Sequence, residues 1–140
     1  MSSRQSDNVV HLLKQAQYRL SALYDAALEP QGITGRELGV LLAVDDGEPA
    51  SQQDIARRLG VDRTSMVGFI DALEAKGLVE RHPHAVDRRR NVIELTDAGR
   101  ETTRKATVAG SEVEREFFAP LTDITAQQLK DALRSLVQPN

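Results

Sequence analysis

Two spacings of apolar residues divide the chain. From Asp7 to Leu28, Val10, Leu13, Leu20, Leu23 and Ala27 recur in steps of three, four or seven, and Leu12, Ala16 and Tyr24 widen the stripe. A period near 3.6 predicts one long amphipathic helix, which Pro30, Gln31 and Gly32 bring to an end. Its apolar surface is broader than one neighbouring element can hide. A second helix is predicted from Thr34, which can cap it, to Val44, with Leu38, Leu41 and Leu42 facing inward. After the polar loop Asp45 to Pro49 come two shorter helices, Ser51 to Leu59 and Asp62 to Lys76. The first carries Ile55, Ala56 and Leu59; the second carries Met66, Ile70 and Leu73, a line that Leu78 continues. Only Gly60, Val61 and Asp62 separate them, and two short helices across a tight turn containing Gly form a helix-turn-helix. Ser51 can cap the first, with Asp54 in the capping-box position, and Asp62 can cap the second.

Beyond Gly77 the period changes. Leu78 to His82 and Asn91 to Leu95 read as two short strands joined by the charged segment Pro83 to Arg90. From Thr96 and Asp97 a long helix runs to about Phe118, where Pro120 breaks it, and Thr125 is the expected cap of a last helix carrying Leu129, Leu133, Leu136 and Val137. The expected fold is therefore mainly α with a small β-ribbon: a winged helix-turn-helix with long N- and C-terminal helices.

Residues 34–100 resemble the multiple antibiotic resistance regulator (MarR) family of winged-helix transcription factors. The run Gln53 to Arg63 carries the resemblance, followed by Leu73 to Arg81, and then Asp87-Arg88-Arg89 with Leu95-Thr96 spaced behind it. The resemblance implies one MarR-type domain over residues 1–140. Residues 34–96 would be the DNA-binding module, and residues 7–33 and 97–138 the dimerisation helices of a homodimer on a palindromic operator; the alternative is that these helices merely close the monomer's core. Where relatives often carry an arginine on the groove-facing side, Gly68 stands here, and Ala72 follows Asp71.

Composition narrows the chemistry. The 140 residues fit one domain, and the absence of Cys excludes disulfides, thiolate metal sites and thiol-based oxidant sensing. The N-terminus is polar and no run is long and apolar enough to span a bilayer, so a soluble cytoplasmic protein without membrane association is expected. The net charge of −3 is unevenly spread: residues 51–90 hold eight Lys or Arg against six acids, +2, while the remainder stands at −5. A mildly basic module on an acidic remainder is the pattern expected when one face meets phosphate.

On this reading the helix from Asp62 enters the major groove, where base edges present distinct donors and acceptors. Arg63 can donate to guanine or phosphate, Thr64 and Ser65 can bond bases or phosphates or serve only as capping residues, Val67 can meet a thymine methyl, and Gly68 stands on the groove-facing side without a charged donor. With few charged donors there, A·T-weighted recognition is expected, more of the affinity coming from the backbone and the wing. Ser51, Gln52 and Gln53 begin the helix that crosses the backbone and can bond phosphates, or stand as a solvated helix end. In the wing, Asp87 can pair with Arg89, leaving Arg88 or Arg90 to enter the minor groove.

The resemblance further implies release from DNA by a small molecule bound between the terminal helices and the winged helix. The polar residues His11, Gln15, Tyr18 and Arg19 on the first helix can line such a pocket for a small aromatic acid, Arg19 meeting the carboxylate, or can be surface and interface side chains. No metal site is expected, since His82 and His84 lack the usual nitrogen and sulfur companions. No cofactor and no catalytic residue is expected: phosphate-cradling glycine loops are absent, and Ser, His and Asp form no recognisable constellation. The competing reading is a winged helix used for protein interaction, its arginine tip docking an acidic partner.

Overall fold

In the computed structural model, which describes residues 8–46, 48–87 and 90–138, the chain is helical at both ends with a small sheet between. Helix α1 is Val9–Leu28, followed by a 3-10 turn Glu29–Gln31, then α2 Gly35–Val44, strand β1 Ala50–Ser51, α3 Gln52–Leu59, α4 Arg63–Ala75, β2 Val79–Pro83, β3 Asn91–Leu95, α5 Asp97–Phe117 and α6 Asp123–Val137. Asp7, the expected start of the first helix, lies outside the described residues. The next residue, Asn8, caps α1 by accepting the amide hydrogens of Val10 and His11.

The caps set where the helices of the module begin. Thr34 and Glu37 form a capping box on α2, Ser51 and Asp54 form one on α3, and Asp62 accepts from the Ser65 amide at the start of α4. Each satisfies backbone N–H groups that a helix terminus otherwise leaves unpaired. The last helix starts earlier than expected: Thr122 is its cap, accepting from the amide of Thr125 at 3.1 Å. Its first turn carries no leucine and so left no periodic signal; Asp123 there suits the positive end of the helix dipole.

The sheet has three strands where two were expected. Its order is β1-β3-β2, all antiparallel. Ala50 pairs with Ile93 and Ser51 with Val92, while β2 runs against β3 from Val79 opposite Leu95 to Pro83 opposite Asn91. A two-residue strand is too short to show alternation. Pro83 extends β2 one residue beyond the expected His82, which an edge strand tolerates because Pro has no N–H to offer the ladder.

One core joins α2, α3, α4, the sheet and α5. Leu28, Leu41, Ile55, Met66, Ile70 and Leu73 are completely buried at its centre, each contributing on the order of 1.5–3 kcal/mol by leaving water. The long helix α5 is locked to the winged module at its first turn. Thr96 donates its hydroxyl to the Gly77 carbonyl and its amide to the Leu78 carbonyl, and caps the Gly99 amide. A Cβ at Gly99 would sit 1.9 Å from the Leu78 carbonyl oxygen, so only glycine permits this approach.

The terminal helices are less covered. Val9 and Val10 of α1 and Ile124, Leu136 and Val137 of α6 are 63% to 76% exposed, and no residue of α6 is buried. Among the described residues no helix is long and apolar enough to cross a membrane.

Candidate nucleic-acid interface

The amphipathicity of α4 decides what it offers to a partner. Met66, Ile70 and Leu73 are buried against the core, which turns Arg63, Thr64, Ser65, Val67 and Gly68 outward together. At its first turn, Asp62 accepts the Ser65 hydroxyl at 2.7 Å as well as the Ser65 amide at 3.0 Å, and these bonds hold its carboxyl below the ordinary value. The Ser65 hydroxyl therefore has its one hydrogen engaged and faces outward as an acceptor. In this geometry it suits a base amino group and not a phosphate. Thr64 is exposed beside it.

Gly68 sits mid-helix, where Gly costs about 0.5–1 kcal/mol relative to Ala. Nothing lies within 4 Å of a Cβ built there and its φ is not positive, so neither packing nor backbone conformation within the chain requires glycine. Its effect is to leave a low point on the outward face.

The start of α3 is held from two sides. Ser51 pairs in the sheet with Val92 while it caps α3, giving and taking one hydrogen bond with Asp54. The bonds from the Ser51 amide and hydroxyl, and then the charges of Arg90 and Arg57, keep the Asp54 carboxyl below its ordinary value. Arg90 turns back from the wing onto this cap, 3.5 Å from the Ser51 hydroxyl and 3.8 Å from an Asp54 carboxylate oxygen. Two adjoining depressions share Gln52, Gln53 and Arg63: Arg57 borders one, Arg90 and Asn91 the other. Arg57 and Arg90 thus both approach the Asp54 carboxylate, at 3.7 and 3.8 Å, and Arg63 lines both depressions beside them.

Arg88 and Arg89 lie outside the described residues. Around them the wing is closed by the backbone, the His84 amide donating to the Arg90 carbonyl and the Arg90 amide to the Asp87 carbonyl. Asp87 is half-buried in this turn.

Spacing alone did not reveal what fixes the wing to the helices. Arg81, on β2, donates to Glu74 at 2.7 Å and to Asp71 at 2.6 Å, both on α4, and its second contact from Nη2 reaches the Gln52 amide oxygen of α3 at 3.4 Å. A planar guanidinium with several fixed donors is suited to join three elements in one geometry. The alternation of Leu78 to His82 shows that Arg81 shares a face with Val79; it does not show which acids that face meets.

A further opening lies between α1 and α2. It measures about 1040 Å³, is mostly apolar, and runs between α1, the start of α2 and Phe69 of α4. Of the four polar residues expected there, Tyr18 lines it; His11, Gln15 and Arg19 do not. Arg19 instead donates to the Phe117 carbonyl at 3.1 Å with its guanidinium 5.1 Å from the Phe117 ring centre. Gln15 and His11, one and two turns before Arg19 on the same stripe, are thereby set on the side of α1 that leads toward α5. The cations on the opening are Lys14 and Arg36, and Tyr24 forms part of its wall. Burial first, then the Glu114 carboxylate, raises the Tyr24 phenol above its ordinary value of 10.0, so it remains a hydrogen-bond donor at neutral pH.

The chain is similar to known proteins. The family model described as MarR family matches residues 31–90. The HTH-type transcriptional repressor NicR of Pseudomonas putida is 34% identical over 95 residues, which are 67% of this chain and 60% of that protein; the chain thus spans less than two thirds of that curated relative. Among solved structures, the transcriptional repressor CouR bound to a 23-mer DNA duplex is 29% identical with a TM-score of 0.92, over 97% of this chain and 96% of that one. CouR from Rhodococcus jostii RHA1 bound to p-coumaroyl-CoA is 29% identical with a TM-score of 0.86, over 99% and 98%.

The fold is that of the winged helix-turn-helix regulators with long terminal helices. The chain belongs to the MarR family.

Proposed function

We propose that the protein is a sequence-specific regulator that binds double-stranded DNA as a homodimer, a repressor released from a palindromic operator by a small aromatic or phenolic ligand. The observation that carries this reading is the outward face of α4 beside three arginines. Arg63, Thr64, Val67 and Gly68 are exposed on one side of α4, while Arg57, Arg63 and Arg90 line the two depressions that Gln52 and Gln53 share. A low helix surface flanked by guanidinium groups suits a major groove between two phosphate backbones. In this reading Arg63, Thr64, Ser65, Val67 and Gly68 meet the groove, Ser51, Gln52, Gln53 and Arg90 meet the backbone, and Asp87, Arg88 and Arg89 form the wing. The reading is of a cytoplasmic regulator and not an enzyme, in keeping with its relatives.

The exposed apolar positions of α1 and α6 supply the dimer contact. Surfaces of that kind seldom stay in water. The opening beside Phe69 takes the ligand, its aromatic part against Tyr18, Tyr24 and Phe69 and its negative charge toward Lys14 or Arg36. This fits CouR, whose structure holds p-coumaroyl-CoA.

Selection of bound fragments from random DNA tests the reading. It predicts a two-fold symmetric site whose half-sites lie one helical turn apart, about 34 Å. Recovery of no preferred sequence, with equal binding to an unrelated polyanion, would sink it.

A further inference from the structure

His84 follows β2 at the base of the wing, and the reading above gives it no role. Its Nδ1 lies 3.1 Å from the amide nitrogen of Val86 and 3.0 Å from that of Asp87. A backbone amide only donates, so Nδ1 accepts from both and carries no proton, and the hydrogen of the neutral ring sits on Nε2. His84 also donates its own amide to the Arg90 carbonyl, and the Arg90 amide donates to Asp87. Packing does little for this turn, because Val86, its one large apolar side chain, is 90% exposed. One imidazole nitrogen therefore satisfies two of the turn's backbone donors, from a residue that is also bonded to the far side of the hairpin.

We propose that His84 is a positioning residue of the wing: its unprotonated Nδ1 holds the Val86–Asp87 turn in the shape that returns Arg90 to the start of α3, and a proton on that nitrogen releases the turn. The inference rests on the DNA-binding reading. A proton on Nδ1 replaces an acceptor by a donor facing two donors, so both bonds are lost together. Among the described residues, the charged groups of the ribbon and of the helix start it faces are Asp87 and Arg90 in the turn, Asp54 of α3, which pairs with Arg90, and Glu80, His82 and Glu94 further along the ribbon, where His82 bridges the two glutamates. The sign distinguishes this role from a direct one. A protonated His84 touching phosphate would strengthen binding in acid, whereas a His84 that must accept weakens it.

Asn and Gln separate the two ring nitrogens, since the Asn Oδ1 stands near the place of Nδ1 and the Gln Oε1 near that of Nε2. Binding of the full chain to a selected duplex is followed by fluorescence anisotropy in mildly alkaline and mildly acidic buffer. In alkaline buffer His84→Asn should bind as wild type does and His84→Gln about tenfold more weakly, two hydrogen bonds having been lost. On acidification the wild type should lose more affinity than His84→Asn. Equal binding by His84→Gln and wild type, or a wild type that gains affinity in acid relative to His84→Asn, overturns the inference. In the free protein, nitrogen NMR of the imidazole should show the hydrogen on Nε2, with the Val86 and Asp87 amides shifted in His84→Gln and not in His84→Asn. A hydrogen on Nδ1 overturns the inference without reference to DNA. A wild type that binds no duplex while its ring keeps the Nε2 hydrogen sinks the DNA-binding reading instead.

Discussion

Lys76, the residue that ends α4, reaches back to Glu37 on the first turn of α2 and donates to both carboxylate oxygens at 2.9 Å. The same ammonium donates to the Gly32 carbonyl at 2.9 Å. Glu37 is buried and also accepts the Thr34 amide. The end of the helix offered to DNA is thereby tied to the joint between α1 and α2. Thr34 and Gly35 of that joint form part of the apolar opening.

Removing one partner should cost more than the pair is worth. Lys76→Met leaves a buried carboxylate with only the Thr34 amide, at a cost of about 1–3 kcal/mol. Urea denaturation should show the loss, and Glu37→Gln, which keeps an acceptor for Lys76, should lose less. If the tie transmits ligand binding to α4, Lys76→Met should also need more ligand for the same release from DNA. An unchanged release curve would remove Lys76 from that coupling.

Arg81 should not be replaceable by lysine. Arg81→Lys keeps the charge and loses the fork that spans Asp71, Glu74 and Gln52, so affinity for duplex should fall severalfold, and Arg81→Ala should fall further. Stability should change by about 1 kcal/mol, because both acids remain well exposed. Full affinity in Arg81→Lys, measured by anisotropy, would show that wing and helix are aligned by other contacts.

Gly68→Ala separates stability from binding. Open space around the position means that Ala should stabilise the chain by about 0.5–1 kcal/mol through helix propensity. A methyl group on the outward face should at the same time weaken duplex binding. Thermal unfolding and anisotropy on one preparation test both, and a variant that is more stable and binds equally well would take Gly68 out of the interface.

The caps predict the acid limb of stability. The carboxyls of Asp54 and Asp62 are both held below the ordinary value of 3.8 by their bonds from Ser51 and Ser65. A depressed carboxylate contributes stability that is full above the unfolded value and is lost as pH falls through the folded one. Unfolding followed below about pH 4 should therefore be less steep in Asp62→Asn than in wild type, since Asn caps without a charge. An identical slope would show that protonation of Asp62 does not shape this limb.

Local periodicity was enough to place the helices, the turn at Gly60 and the two long strands, because burial of Ile55, Met66, Ile70 and Leu73 imposes the period that the sequence displays. Ser51, Thr34 and Asp62 were legible as caps for the same reason, each acting within three residues of itself. Thr122 was missed for Thr125 because both threonines stand ahead of Leu129, the first leucine of the helix, and either can cap it. β1 was missed because two residues have no period. Partners distant in sequence, such as Lys76 with Glu37 or Arg81 with Asp71, are set by how α4 lies on its neighbours, and spacing along the chain does not encode that angle. The same limit explains the opening beside Phe69. A shift of a third of a turn on α1 exchanges Arg19 for Lys14, and the width of the apolar stripe left that choice undetermined.

Duplex affinity measured across a salt series, with and without Arg63→Ala, tests the central claim most directly. The account predicts a steep loss of affinity with rising salt, a preference for one symmetric sequence, and an Arg63→Ala variant weaker by about 1–3 kcal/mol with relaxed preference or, if Arg63 meets only phosphate, a salt slope smaller by about one. Affinity that is indifferent to sequence and unchanged by Arg63→Ala would contradict it.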